Sequence, residues 1–430
     1  LRIRNLCLII VCFLSWELIA ESENSYIVSY YQYVDTLPPK DLVHQPKENS
    51  HDEPSHSCCE EECCCSESEC LPQESCDLAC YTPSFHNLIC DIGIFMHLDF
   101  LYWYAKETDL SYAIRVKAQP QTLGSDLLLF GIKRVENLGT SWDPGVRLGI
   151  GCSSRVADFD LGFKWTWMKN TRCDKTSVQP FGSAIPNEAG VPFLITPWIN
   201  QSFQRDSFAL YDCIKARWQL RYNQFDLELG RKYWTGPCFV IRPFIAIRGA
   251  FWDTKFDLET TLSEKGTVSG TFGKDKFDND AWGVGFDAGF EPTWYLCSCL
   301  ALYGQFDGAL LWGRHKDKKR EKIFMSTSEG VLQIDYNNQF EEKSSQMTPQ
   351  IDLGIGIRWE YTFCDCRYRS TLDVGWEHHI LFDQSHRIKS LDGFQESIDS
   401  TGSISGFRSY VETNGNIALG GLIIRGRFDF

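Results

Sequence analysis

At 430 residues with 43% apolar content, the chain can bury a sizeable core, and one large all-β domain suits that length as well as several small ones. A net charge of −15 argues against a nucleic-acid partner, and no run of 18 apolar residues follows the first 20 positions, which excludes a helical membrane anchor in that stretch. The negative mean hydropathy does not exclude a membrane protein, because polar residues facing the lumen of a β-barrel dilute the signal.

In chain order, Arg2 and Arg4 precede the apolar run Leu6 to Leu14, and Ala20 follows as a cleavage point, so residues 1–20 read as a signal peptide. Removing it takes away Cys7 and Cys12 and leaves seventeen of the 19 cysteines, an odd number that leaves at least one thiol free or bonded to another molecule. Residues 21–90 are a separate unit by composition: fourteen acidic residues stand against two lysines, and nine cysteines crowd between Cys58 and Cys90. So few apolar residues build no core, which leaves disorder or disulfide stapling.

From Asp91 the pattern changes to period two, the strand signature. Ile94, Met96, Leu98, Phe100 and Tyr102 share one parity, with His97 and Asp99 on the other. The alternation returns at Val146/Leu148/Ile150, Phe159 to Trp167, Ile241 to Ile247, Trp282 to Phe290, Leu302 to Leu310, Ile351 to Tyr361 and Leu372 to Trp376. Trp218/Leu220/Tyr222 and Phe225/Leu227/Leu229 read as one strand whose parity slips near Asn223, as a bulge would cause, and Pro243 predicts a second bulge. The last stretch, Asn416 to Phe430, carries Leu422, Ile424, Phe428 and Phe430 on one face and Arg425, Arg427 and Asp429 on the other. A closing strand of this kind that ends on Phe predicts the sealing strand of an outer-membrane barrel, with Phe428 and Phe430 as the membrane-insertion signal.

The expected fold class is therefore all-β: a transmembrane antiparallel β-barrel over 91–430 with about ten strands, in a range of roughly ten to sixteen, preceded by the cysteine-rich segment. Short links at 152–156, 234–238, 293–299 and 362–367 alternate with long ones near 106–141, 169–212, 254–279, 314–348 and 382–413, the pattern of short turns on one side and long loops on the other. Trp103, Trp142, Trp165, Trp167, Trp252, Trp282, Trp312, Trp359 and Trp376 lie near strand ends, where amphipathic rings favour the membrane interface.

This topology sorts the disulfide candidates. Cys58, Cys59, Cys63, Cys64, Cys65, Cys70, Cys76, Cys80 and Cys90 precede the first strand, and Cys152, Cys238, Cys297, Cys299, Cys364 and Cys366 lie in or beside the short turns. Fifteen of seventeen thus face one compartment, the periplasm, as bonds within the chain, to a second copy or to other envelope proteins. Cys173 and Cys213 bracket the longest loop and are expected to tie its base. A metal site from His51, His56 and Cys63 to Cys65 is disfavoured by irregular spacing, and no cofactor is expected.

DFLYWYAKETDLSYA at 99–113, SWDPGVRLGIG at 141–151, DFDLGFKWTWM at 158–168, YNQFDLELGRKYW at 222–234, RPFIAIRGAFWD at 242–253, LGIGIRWEYTFCDCRY at 353–368 and the ending GLIIRGRFDF resemble the pore-forming major-outer-membrane-protein-like family of legionella-type and chlamydia-related bacteria. The resemblance spans Asp91 to Phe430 and implies an outer-membrane porin in an envelope stiffened by disulfides. Its surroundings would be outer-membrane lipid and, during insertion, the barrel-assembly machinery.

For a pore, charges facing the lumen govern passage. The inward candidates are Arg147, Arg217, Arg221, Arg242, Arg248, Arg358, Arg425 and Arg427, with Asp99, Asp160, Asp226, Glu228, Asp287, Asp307, Asp352, Glu360 and Asp373. Both signs are abundant, so ion pairing across the wall is expected to outweigh selectivity at any one residue. Catalysis is the weaker expectation: His97 with Asp99, and Glu377 with His378 and His379, are acid–base types, but no nucleophile motif accompanies them. A structural or adhesive envelope protein with little conductance is the competing class.

Overall fold

The computed structural model describes residues 92–118, 130–154, 159–179, 192–198, 211–236, 238–263, 270–297, 299–326, 332–363, 367–395 and 405–430. The expected signal peptide, the acidic segment with its nine cysteines, and Cys364 and Cys366 lie outside them.

Among the described residues fourteen strands follow one another: β1 (Ile92–Glu107), β2 (Ser111–Ala118), β3 (Phe130–Asn137), β4 (Ser141–Ser154), β5 (Phe159–Ser177), β6 (Pro192–Ile195), β7 (Cys213–Gly230), β8 (Tyr233–Gly236), β9 (Phe239–Ser263), β10 (Gly270–Tyr295), β11 (Leu300–Ser326), β12 (Leu332–Phe363), β13 (Tyr368–Gln395) and β14 (Ser405–Asp429). Ten of them, β1, β4, β5, β7 and β9 to β14, pair antiparallel in a closed ring, while β3, β2 and β6 form a separate three-stranded sheet. Closure joins the two ends of the barrel sequence: Phe95 pairs with Asp429, and Ile94 and Phe430 exchange backbone hydrogen bonds of 2.7 and 2.9 Å.

Strand faces explain why these residues make a wall. On β1, Phe95, His97, Asp99, Leu101 and Trp103 are buried, and Ile94, Met96, Leu98, Phe100 and Tyr102 between them are exposed. Large apolar side chains that stay exposed in every second position belong against lipid. The exposed band on β10 runs from Trp282 to Trp294, about 40 Å along the strand and, at a barrel's tilt, about 30 Å in height, the thickness of a hydrocarbon core. Trp142, Trp167, Trp282, Trp312 and Trp376 ring its loop-side border.

Beyond that border the faces exchange character. On β7 the register continues through Asn223 without a shift, so no bulge lies there. Below Asn223 the outward residues are Phe225, Leu227 and Leu229; above it the inward residues Trp218, Leu220 and Tyr222 are the buried ones. The apparent slip in parity is a change of surroundings, because the strand leaves lipid and begins to enclose an apolar core. Trp103 and Trp252, expected at the lipid interface, are 1% exposed and belong to that core. Trp198, next to β6, joins them, with its ring 5.5 Å from Phe256 and 5.3 Å from Phe277.

Three expected loops are largely strand. The described residues among 254–279, 314–348 and 382–413 continue the ladders of β9–β10, β11–β12 and β13–β14, with pairs such as Lys274↔Glu259, Lys318↔Glu341 and Lys389↔Val411. Polar residues on the outward face hide the period of two there. Pro243 makes no bulge in β9 either; lacking an N–H, it interrupts the partner ladder instead, and the break between β7 and β8 at Arg231 and Lys232 lies opposite it.

Cys173 pairs with Arg217 and Cys213 with Ser177, four rungs apart, or about 13 Å, too far for a disulfide. Both are thiols, so the expected tie at the loop base is not made. Gly421 has φ 148°, and a Cβ there would come 2.3 Å from the Tyr102 carbonyl oxygen.

Deleting Phe428 to Phe430 removes rungs on both neighbours of β14 and should abolish assembly, read as loss of the heat-modifiable band on a gel run without boiling. Gly421→Val should lower stability by about 1–3 kcal/mol in urea unfolding. Cys173 should react with maleimide without reductant.

Candidate functional site in the barrel interior

Inside the lipid-facing band, the period of two points charged residues at one another from every wall. The centre is Arg248 on β9. Its guanidinium donates to Asp226 at 2.6 Å, Asp287 at 2.8 Å, Asp307 at 3.1 Å and Asp352 at 2.7 Å, carboxylates carried by β7, β10, β11 and β12. His379 on β13 stands 2.9 Å from Asp352 and 3.3 Å from Glu377 and closes the group on that side.

Two further clusters use the same chemistry. Arg147 on β4 makes a two-pronged pair with Glu377 on β13 at 3.0 and 2.9 Å and reaches Asp99 at 3.4 Å. Asp99 also receives Arg425 at 3.0 Å and lies 2.8 Å from His97, whose ring covers Gly149 so closely that a Cβ there would fall 1.8 Å from Nε2. Nearer the turns, Arg242 binds Asp160 through two prongs at 2.9 and 2.8 Å and Glu228 at 2.5 Å, and Lys164 takes the other oxygen of Glu228 at 2.5 Å. At the turn-side rim Arg358 holds Asp373 at 2.8 and 2.9 Å, and Asp429 receives Arg427 at 2.6 Å and Arg369 at 3.4 Å.

Several of these bonds cross the lumen. Gln350 on β12 donates to Gln224 on β7 at 3.2 Å, between strands nearly opposite in the ring, and to Asp352 at 2.9 Å. On the loop side, Glu107 on β1 pairs with Arg387 on β13 and accepts the Trp218 indole N–H from β7 at 2.6 Å. The apolar core surrounds this crossbar, reaching from Trp103 beside the charge clusters to Ile214 and Tyr112 on its loop side. Trp103 forms the floor of that core, its ring 4.6 Å from His379 and 5.5 Å from the Arg147 guanidinium.

Of the sequence candidates, Asp99, Arg147, Asp160, Asp226, Glu228, Arg242, Arg248, Asp287, Asp307, Asp352 and Asp373 are buried in the interior, and Arg358, Glu360, Arg425 and Arg427 are half-buried there. Arg217 and Arg221 are a correction. They are exposed on the outer wall above the lipid band, because β7 keeps one register where the sequence reading assumed a slip. Lys164, Gln224, Gln350, Arg369, Glu377, His379 and Asp429, which are not among the sequence candidates for the pore lining, complete the clusters. The same parity rule, applied to polar residues of every type, would have included them. His97 and His379 are 8% and 6% exposed, locked among carboxylates and closed to a substrate.

One acid pair lies apart. Asp275, seven residues beyond the border residue Trp282, faces Glu321 across the β10–β11 ladder, fully buried and, among the described residues, without a hydrogen-bond partner for either oxygen. Burial, followed by the Glu321 charge, pushes its carboxyl well above the usual range.

The model of a family described as the Legionella pneumophila major outer membrane protein precursor matches residues 94–430. No curated protein matches the chain. Among solved structures, the outer membrane protease OmpT from Escherichia coli is similar at 10% identity and a TM-score of 0.32, covering 82% of this chain and 99% of that one. A mutant of the monoaromatic hydrocarbon channel TodX follows at 9% and 0.25, and a Pseudomonas aeruginosa FadL homologue at 7% and 0.20, each covering 81% of this chain and 92% of its own.

Arg248→Ala leaves four carboxylates without their shared partner and should cost about 3–5 kcal/mol in urea unfolding, whereas Arg217→Ala on the outer wall should stay within about 0.5 kcal/mol. Asp275 keeps its proton in the fold at pH values where the unfolded chain has lost it, so it lowers stability as pH rises above the ordinary carboxylate range. Asp275→Asn should therefore melt higher than the parent at pH 8, with the gap closing toward pH 4.

Proposed function

Because the chain belongs to the Legionella major outer membrane protein family and is an outer-membrane β-barrel, we propose that it is a porin of low conductance, passing water and small ions by diffusion. The observation that carries this reading is the charged interior inside the lipid-facing band, with Arg248 among four aspartates at its centre. Ionisable groups at membrane depth are costly and mark ion pathways or structural networks. Carboxylates outnumber cations around Arg248, so cations are the favoured permeants.

Passage is limited by the Gln224–Gln350 bond and by the Glu107–Arg387 crossbar. Those same bonds favour a second reading, a structural envelope protein with little conductance. The turn side, where β14 ends, is assigned to the periplasm. There, the cysteine-rich segment and the turn cysteines Cys152, Cys238, Cys297, Cys299, Cys364 and Cys366 would supply disulfides within the chain, to a second copy or to envelope partners. Insertion is assigned to the barrel-assembly machinery, through the terminal strand and Phe430.

Planar-bilayer recording decides between the readings. The porin predicts small, cation-favouring current steps that grow when Gln224 and Gln350 are both changed to Ala. Silence from the parent and the double variant, together with oligomers that dissolve in reductant, would establish the structural role. A non-reducing gel showing only monomer would remove cross-linking between chains.

A further inference from the structure

The outward face of β11 changes abruptly at the border of the lipid band. Trp312 is 59% exposed, and above it the next five outward positions are Arg314, Lys316, Lys318, Arg320 and Lys322, with no acidic residue among them. Register places the stripe between β10 and β12, which set Asp280 opposite Lys316 and both Asp278 and Glu341 opposite Lys318, but Lys276, Lys274 and Lys343 opposite Arg320, Lys322 and Lys316, so the face stays net positive. Arg320 pairs with Asp278, and Lys316 reaches Glu341 at 3.4 Å, an oxygen that Lys343 shares at 3.3 Å. Arg314, Lys318 and Lys322 make no ion pair among the described residues. Like charges on one face repel, so in a chain of net charge −15 a basic stripe of this length needs an anion outside the protein.

Its height identifies the anion. From Arg314 to Lys322 the stripe covers eight residues of strand, about 26 Å of path and about 20 Å of height at a barrel's tilt. The headgroup layer of a phospholipid leaflet is only about 5–8 Å deep, so it would meet the lowest rung or two. A headgroup with phosphates spread over a greater depth meets them all.

We propose that the outer wall of β11 binds the phosphorylated headgroup of a membrane glycolipid, with Trp312 at the acyl boundary and the five cations along the headgroup. The assignment rests on the barrel's insertion with the loop side in the glycolipid leaflet, the orientation proposed above. The binding chemistry is tested independently of that orientation, on the purified full chain.

The probes are a bis-phosphorylated glycolipid, its dephosphorylated form and phosphatidylglycerol, each titrated against the protein in neutral detergent micelles. The glycolipid should bind at least tenfold tighter than the other two, with affinity falling as salt rises. The triple variant K318E/R320E/K322E should lose that tenfold advantage while keeping its heat-modifiable gel shift, which shows that the barrel is intact. Equal binding of the dephosphorylated lipid, or an unchanged triple variant, would overturn the proposal. Binding of phosphatidylglycerol equal to that of the glycolipid would also overturn it, as a sign of general charge attraction. Should the triple variant fail to assemble, the single variant K322E, at the top rung, should still weaken glycolipid binding by about threefold and leave phosphatidylglycerol unaffected. Orientation is read separately, by labelling the Lys322→Cys variant on intact cells in a background carrying Cys173→Ser and Cys213→Ser: no labelling with glycolipid binding retained would reject the orientation alone.

Discussion

Hydrocarbon offers no partner to a backbone N–H or C=O, so a sheet that crosses a bilayer has to close on itself. Here that closure is the β1–β14 ladder, in which the first and last strands of the barrel satisfy each other from Phe95↔Asp429 to Glu107↔Ile417. Everything else inherits its placement from this constraint. A closed antiparallel ring has one inside and one outside, and each strand assigns alternate residues to them. Lipid selects apolar side chains outside over the height of the band, which leaves the inside to polar ones that must satisfy one another.

The inside solves that problem in two ways along its height. Within the band, guanidinium groups with several donors each collect carboxylates from different strands, as Arg147 does from β1 and β13 and Arg242 from β5, β7 and β10. Desolvation of such groups is repaid only when nearly every lone pair and donor is used, so the clusters are sensitive to the loss of one member and tolerant of changes outside. Beyond the band, where water wets the outer wall, the pattern reverses and the interior becomes an ordinary core with Trp103, Trp252 and Phe256 fully buried.

The sequence revealed the membrane-crossing part of the strands well, because lipid imposes an apolar residue at every second position. It was silent where both solvents differ from that case. On β7 the apolar parity crosses from inside to outside at Asn223 with no change of register, and a rule that equates apolar with one face reads this as a bulge. The extensions of β11 and β12 carry lysines and glutamates outward, and their pairing depends on the partner strand more than on local pattern. Most of the interior charges were visible by parity. Which aspartate meets which arginine was not, since Arg248 and Asp352 are brought together only by ring closure.

The pairing of positions near 95 with those near 429 also sets a time order. Contacts so distant in sequence form slowly, and none of those that seal the wall exists until β14 is present. A nascent chain that has released β1 but not β14 exposes an unpaired edge and a row of lipid-seeking side chains, the condition that favours aggregation. Until β14 takes its place, β1 keeps that open edge, so the wall gains its last ladder and loses its exposed edge in one step.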